Sequence, residues 1–177
     1  MVDFTIRAAT EDDASAIQEI YAHHVLHGLA TFEVDPPPVD EIQRRWKGVV
    51  TKGMPYLVAE NHESLVLGYG YISHFRERVA YNFTLENSVY LRHDATGQGI
   101  GKALLKELIG LCEKGPWRQM VAAVGNSENL ASIRLHQSMG FRLVGTLKDV
   151  GFKHGRWVDV VMLQRELGNG GATLPAS

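Results

Sequence analysis

The stretch that most restricts this chain is "SVYLRHDATGQGIGKALLKEL", residues 88–108, where an extended apolar segment runs into three alternating glycines and then into helical spacing. Glycines are used where a backbone turns tightly or must lie close against something else. A strand, a glycine-rich turn and a helix start aim several main-chain N–H groups at one point, and the helix dipole favours an anion there. The pattern predicts an α/β fold in which a strand ending at Val89, Tyr90 and Leu91 feeds directly into a helix.

Two familiar phosphate loops do not fit. A P-loop needs a first glycine where Thr96 stands, and Ser or Thr after its lysine, where Ala103 follows Lys102. The dinucleotide fingerprint needs G-x-G-x-x-G and an acid ending the next strand. Here Gly97, Gly99 and Gly101 are spaced G-x-G-x-G, and "QMVAAV" ends without a carboxylate. What remains is a diphosphate held on the bare amides of Gly97, Gln98, Gly99, Ile100, Gly101 and Lys102. A tight turn without a ligand is the alternative, and one glycine would suffice for that.

Elsewhere the hydrophobic period switches cleanly between strand and helix. "DFTIRAA" alternates as a strand, Thr10 with Asp13 marks a helix start, and Ile17, Ile20 and Tyr21 follow at helical spacing. "HGLATFEVDPPPVD" breaks the pattern, and its three prolines exclude helix and sheet pairing alike. "VDEIQRRWKGVV" is helical, with Ile42, Trp46 and Val49 as its stripe. "YLVAE", "LVLGYGYISHF" and "NFTLENSVYLRH" read as strands. After the glycine helix come a strand "QMVAAV", a helix ending at Gly140 and two long strands that form a hairpin. The element order is β-α-α-β-β-β-α-β-α-β-β, an α/β class fold.

A chain of 177 residues with 45% hydrophobic and 21% charged residues suits one globular domain. A net charge of −2 gives no electrostatic reason to expect nucleic acid or an anionic membrane as partner. No apolar run reaches the length of a membrane span, and the start "MVDFTIRAATEDD" is acidic where a secretory leader is basic. Cys112 is the only cysteine, which fits a cytoplasmic chain and a buried structural thiol. No His, Cys, Asp or Glu spacing suits a metal.

"GQGIGKALL" resembles the acetyl-CoA-binding loop of the GCN5-related N-acetyltransferases. The loop's usual Q/R-x-x-G-x-G/A falls on Thr96, Gly99 and Gly101. Thr96 departs from the usual Arg or Gln and removes one side-chain contact to phosphate, while the amide cradle does not depend on it. "NLASIRLHQSMGF" matches the second cofactor segment, in which Asn129 and Ser132 would face the pantetheine and phosphate arm. "IRAATEDDASAIQEIY", "SVYLRHD", "RLHQSMGF" and "GTLKDVGFKHGRWVDVVMLQREL" further resemble the phosphinothricin and methionine sulfoximine acetyltransferase branch, over about residues 4 to 167. The length and the lack of a dividing linker indicate one domain over 1–167, and the small, Gly-rich "GNGGATLPAS" reads as a flexible tail at 168–177. The resemblance implies a mixed, mostly antiparallel twisted sheet flanked by helices, acetyl-CoA as co-substrate without a metal, and a homodimer.

Acetylating an amine needs a base, because a free amine is mostly protonated near neutral pH. Glu86, inside an otherwise apolar strand just before the glycine loop, is the expected base, and the resembled branch has a glutamate at the matching position. A main-chain N–H near Tyr90 or Leu91 would polarise the thioester carbonyl. His136 is aligned with the superfamily's thiolate acid, and Tyr90 is a second candidate for that proton. Arg76 and Arg78, just before this strand, suit an anionic amino acid, and Phe32 and Tyr81 suit the walls of its pocket. Lys153 and His154 read as solvated hairpin charges. The expected activity is acetyl transfer to the α-amino group of a small glutamate-like amino acid by direct attack. The alternatives are another amine (an aminoglycoside or a protein N-terminus) or a non-catalytic acetyl-CoA sensor.

Overall fold

The computed structural model describes residues 3–175. The elements are β1 (Phe4–Ala8), α1 (Ala14–His27), α2 (Val39–Val50), β2 (Tyr56–Asn61), β3 (Val66–His74), β4 (Thr84–Leu91), α3 (Ile100–Cys112), β5 (Gln119–Gly125), α4 (Leu130–Ser138), β6 (Arg142–Lys153) and β7 (Arg156–Glu166). This is the order expected from the periodicity. The strands form one seven-stranded sheet in the order β1-β2-β3-β4-β5-β7-β6. Every neighbouring pair is antiparallel except β4 and β5, which are parallel.

The central strands are apolar on both faces because both faces are covered. On β2, Leu57 and Ala59 enter a core built on α3, while Tyr56 and Val58 enter a second core beneath α1 and α2. On α3, Ile100, Leu104, Leu108 and Cys112 recur every four residues and are fully buried. At about 1.5–3 kcal/mol for each large aliphatic chain, this stripe fixes the helix against the sheet. Asp13 accepts from the Thr10 N–H at 2.7 Å, as the start signal before α1 predicts.

The feature that positions the site is a fork in the sheet. β4 and β5 pair only at Thr84↔Gln119, Leu85↔Met120 and Glu86↔Val121. Both strands then run on, to Leu91 and Gly125, without pairing to each other. The Phe75 N–H bonds Thr84 O at 3.1 Å and the Arg92 N–H bonds Leu67 O at 2.9 Å. Even-numbered residues of β4 therefore turn their main chain to β3, and odd-numbered residues turn theirs to the fork.

The described part of the expected loose tail, residues 168–175, folds back in turns. Leu167 is fully buried, its N–H bonds Arg118 O at 3.0 Å, and the Arg118 guanidinium donates to Leu174 O at 3.0 Å. The last two residues of that segment, 176 and 177, lie outside the described residues.

Candidate active site

The fork opens into a cleft of about 260 Å³ that reaches through the sheet, lined by Phe32, Glu86, Asn87, Val89, Tyr90, Asn129, Ser132 and His136 among others. The glycine turn follows β4, one strand of the fork, and leads into α3. Gly97 has φ +75° and Gly99 has φ +85°, left-handed values that side chains rarely adopt. A Cβ built on either would point into open space, with no protein atom within 4 Å. Gly101 differs: it is helical, and a Cβ built on it would meet Leu91 and Leu135 at 3.5 Å. The space beside it is bounded by protein side chains and not left open as at 97 and 99, which sets it apart from the other two.

The first main-chain bond that closes α3 runs from the Ala103 N–H to Gly99 O at 3.0 Å. The amides of Ile100, Gly101 and Lys102 are therefore free at the helix start, and those of Gly97, Gln98 and Gly99 have no main-chain partner among the described residues. Gln98 turns its amide nitrogen to Asp94 O at 3.3 Å, and its Oε1 is buried without a partner. Lys102 is exposed beside the turn. Free amides, an unfilled Cβ space and a helix dipole fit a diphosphate.

Glu86 sits at the crotch of the fork, mostly buried on the α1/α2 side of the sheet. Loss of solvation raises its pKa, and the nearby Arg76 guanidinium opposes part of that rise. The alternation along β4 separates the oxyanion candidates. Tyr90 pairs with Tyr69 on β3, so its N–H belongs to that ladder, whereas the main chains of Val89 and Leu91 face the fork. The Leu91 carbonyl is already taken by His24 Nε2, which donates to it at 2.8 Å.

The two proton candidates differ in availability. His136 is buried, and each ring nitrogen meets an oxygen: Nδ1 lies 2.8 Å from Ser132 O and Nε2 lies 3.0 Å from Asn87 Oδ1. Burial lowers its pKa, opposed by the Ser132 contact. Tyr90 lines the same cleft, packed between Tyr21 and Tyr69 at 5.3 Å from each. Burial raises its phenol well above the ordinary value, so it holds a proton at neutral pH.

Asn129 lines the cleft but also caps α4, its Oδ1 accepting from the Ser132 N–H at 3.2 Å. Phe32 lines the cleft, with its ring over Gly151, where a Cβ would collide with it. The flanking residues hold it there. The Tyr21 hydroxyl contacts Thr31 Oγ1 at 2.7 Å and donates to Glu33 at 2.9 Å, and Arg45 donates to Glu33 at 2.7 Å.

Arg76, Arg78 and Tyr81 are not brought into this cleft. Arg76 is exposed with its guanidinium 5.0 Å over the Phe75 ring. Arg78 is exposed at the start of a short turn. Tyr81 stands edge-on to Phe75 in a separate apolar groove with Val121, Val144 and Met162. The strand-to-strand loop carries Arg78 and Tyr81 past the start of β4, while Arg76 stays near enough to Glu86 for its charge to act there.

Lys153 corrects the expectation of a solvated hairpin charge. It is 2% exposed, and its Nζ donates to Thr31 O at 2.8 Å and to His24 O at 3.4 Å. Burial lowers its pKa. The β6–β7 hairpin folds over the proline-rich loop, so a lysine near a turn ends up clamping that loop. A strand pattern alone gives no sign of this. His154, next in the turn, has φ +51° and is exposed.

The sequence matches the family of acetyltransferase (GNAT) domains over residues 6–162. The chain belongs to the GNAT acetyltransferases. It is 54% identical over 171 residues to the phosphinothricin N-acetyltransferase of Alcaligenes faecalis, covering 97% of this chain and 86% of that one. It is 37% identical to the L-methionine sulfoximine/L-methionine sulfone acetyltransferase of Salmonella typhimurium, over 92% of this chain and 94% of that one. Its fold superposes with a TM-score of 0.95 on a GNAT superfamily phosphinothricin acetyltransferase from Sinorhizobium meliloti, solved in complex with AcCoA. That protein is 46% identical, and the match covers 98% of this chain and 94% of that one. The GNAT fold and the phosphinothricin and methionine sulfoximine relatives are as the sequence resemblance implies.

Proposed function

We propose that this chain transfers the acetyl group of acetyl-CoA to the α-amino group of a small glutamate-like amino acid, phosphinothricin or methionine sulfoximine or sulfone. The observation that carries the reading is β4 itself, which carries the desolvated Glu86 carboxylate in the forked cleft and leads on to the free amides at Gly97–Lys102. The turn and the start of α3 hold the diphosphate, the edges of Val89 and Leu91 align the arm, and Asn129 and Ser132 flank it. Glu86 removes the proton from the incoming ammonium. The Val89 or Leu91 N–H stands towards the carbonyl oxygen as negative charge develops.

Tyr90 supplies the thiolate proton in this scheme and not His136, because both nitrogens of His136 are occupied. Attack is direct in a ternary complex. The one thiol, Cys112, is fully buried and pushed up to about 12 by desolvation, so it offers no acyl-accepting nucleophile. Phe32 forms one wall for the acceptor, and Arg76 with Arg78 attracts its anionic end from the rim. Thiol release from acetyl-CoA, measured against phosphinothricin, methionine sulfoximine, methionine sulfone and an aminoglycoside, tests the reading. Turnover confined to the first three supports it, and turnover on the aminoglycoside alone overturns the acceptor class.

Gly151→Ala places a methyl group where the Phe32 ring lies. The expected result is a rise of about tenfold in KM for the amino acid, with KM for acetyl-CoA within about twofold, since the strain falls on the acceptor wall. Steady-state kinetics with each substrate varied in turn separates the two.

The chain acts as a homodimer in this reading. The apolar "DVVML" segment points mostly inward, with Val161 and Leu163 buried, while the apolar surface is on the edge strand β6 and at the start of β7. Leu143, Val144, Leu147, Phe152 and Trp157 are all more than half exposed, a patch that invites a second surface. Leu147→Glu is expected to convert a dimeric mass to a monomeric one in sedimentation. A cytoplasmic location fits the lone reduced cysteine. Among the described residues no helix is long and apolar enough to cross a membrane.

A further inference from the structure

The last rung of the β4–β5 ladder, which completes the Glu86↔Val121 pair, runs from the Asn87 main-chain N–H to Val121 O. That carbonyl accepts from the Asn87 side chain as well, with Nδ2 donating to Val121 O at 3.1 Å. A side-chain amide on the same carbonyl as the last main-chain bond ties β5 to β4 at the point where the strands part. The other end of the same amide, Oδ1, lies 3.0 Å from His136 Nε2, and His136 Nδ1 lies 2.8 Å from Ser132 O. One chain of contacts thus links β5, β4 and both turns of α4, and Asn87, at 6% exposure, is its centre.

We infer that Asn87 is a positioning residue: its side-chain amide pins β5 to β4 where the fork begins and, through His136, fixes α4 at the distance that lets the fork and Ser132 embrace the arm of acetyl-CoA. This rests on the acetyltransferase reading for its ligand but on the contacts above for its geometry. The chemistry of the chain is demanding. It ends on a carbonyl at each side, so with the amide donating to Val121 the ring must donate at both nitrogens to satisfy every contact. A neutral ring leaves one contact unmade. The ring of Phe141 stands edge-on at 5.1 Å across His136, and no charged side chain contributes to the ring's environment. Asn is suited to this place because it donates on one side and accepts on the other. Leu cannot link the elements, and Asp cannot donate to Val121.

The test uses the intact protein and two variants, Asn87→Ala and Asn87→Asp. Calorimetry with coenzyme A reads the fork: in Asn87→Ala the Kd is expected to rise about tenfold or more, with KM for the amino acid within about twofold. A wild-type Kd in that variant overturns the inference. Histidine NMR reads the link to α4. Asn87→Asp puts a carboxylate against the ring and is expected to raise the His136 titration midpoint by about one unit or more, and an unmoved midpoint overturns it. Should either variant fail to fold, exchange of the Asn87 side-chain amide in the wild-type protein decides. Slow exchange supports the inference and exchange at the rate of an exposed amide overturns it. Failure of the acetyl-transfer reading shows differently, as wild-type protein that binds no coenzyme A and releases no thiol while the Asn87 amide remains protected.

Discussion

Glu86→Gln is expected to lower kcat/KM by about 10²- to 10⁴-fold, the usual contribution of a positioned general base, with coenzyme A affinity unchanged. The substitution keeps the shape and removes only the ability to take a proton. A sensor that merely binds acetyl-CoA would be indifferent to it. The pH profile carries a second signature. Burial raises the Glu86 pKa, and the base works only when ionised, so wild-type kcat/KM rises with pH through that raised value and the acidic limb disappears in the variant. The stability effect has the opposite sign to the activity effect. A carboxyl whose folded pKa is raised binds its proton more tightly folded than unfolded. Ionised Glu86 therefore costs stability at neutral pH, and that cost vanishes as pH falls below the ordinary carboxylate value. Glu86→Gln removes this cost, so a Tm equal to or above the wild type is expected at pH 7 to 8, with little difference in acid. Loss of activity with a lowered Tm would point to misfolding instead.

Gly99 supplies the second large effect, and a pair of variants isolates charge from shape. Asn and Asp have the same outline, and both tolerate the left-handed backbone better than other residues with side chains. At φ +85°, with nothing within 4 Å of the built Cβ, each variant can fold with its side chain in the space assigned to the diphosphate. Gly99→Asn is expected to raise KM for acetyl-CoA several-fold by occupying that space. Gly99→Asp adds a like charge. At about 5 Å and an effective dielectric of about 20, the repulsion is about 3 kcal/mol, or about a further hundredfold. The gap between the two variants is expected to narrow at high salt. Gly101→Ala is the control. Its methyl group would meet Leu91 and Leu135 at ordinary contact distance inside a helix, so KM stays put and stability rises by up to about 1 kcal/mol. Equal KM values for Gly99→Asn and Gly99→Asp would remove the diphosphate from this turn.

Much of the site was legible where local pattern and chemistry coincide. The glycine turn announced a helix N-terminus because glycine takes the left-handed backbone angles found at 97 and 99 without strain. Glu86 stood out as a carboxylate in an apolar strand. Asn87 carried a signal of the same kind. Two adjacent polar residues in a strand face opposite sides of a sheet, so in a sheet covered on both faces each must find a partner. Arg76, Arg78 and Tyr81 were legible as residue types but not as places, because the path of the loop between β3 and β4 is set by packing and not by composition.

The order of strands and helices and the helix start at the glycine turn follow from the sequence alone, since each is set by spacing within a few residues. The tertiary structure decided that β4 and β5 part after Glu86, that both nitrogens of His136 are occupied, and that Lys153 is buried over the proline-rich loop. These joinings span 34, 49 and 122 residues of chain between Asn87 and Val121, Asn87 and His136, and Thr31 and Lys153. No local period reports contacts at that range, because they arise only when separate elements are packed against one sheet.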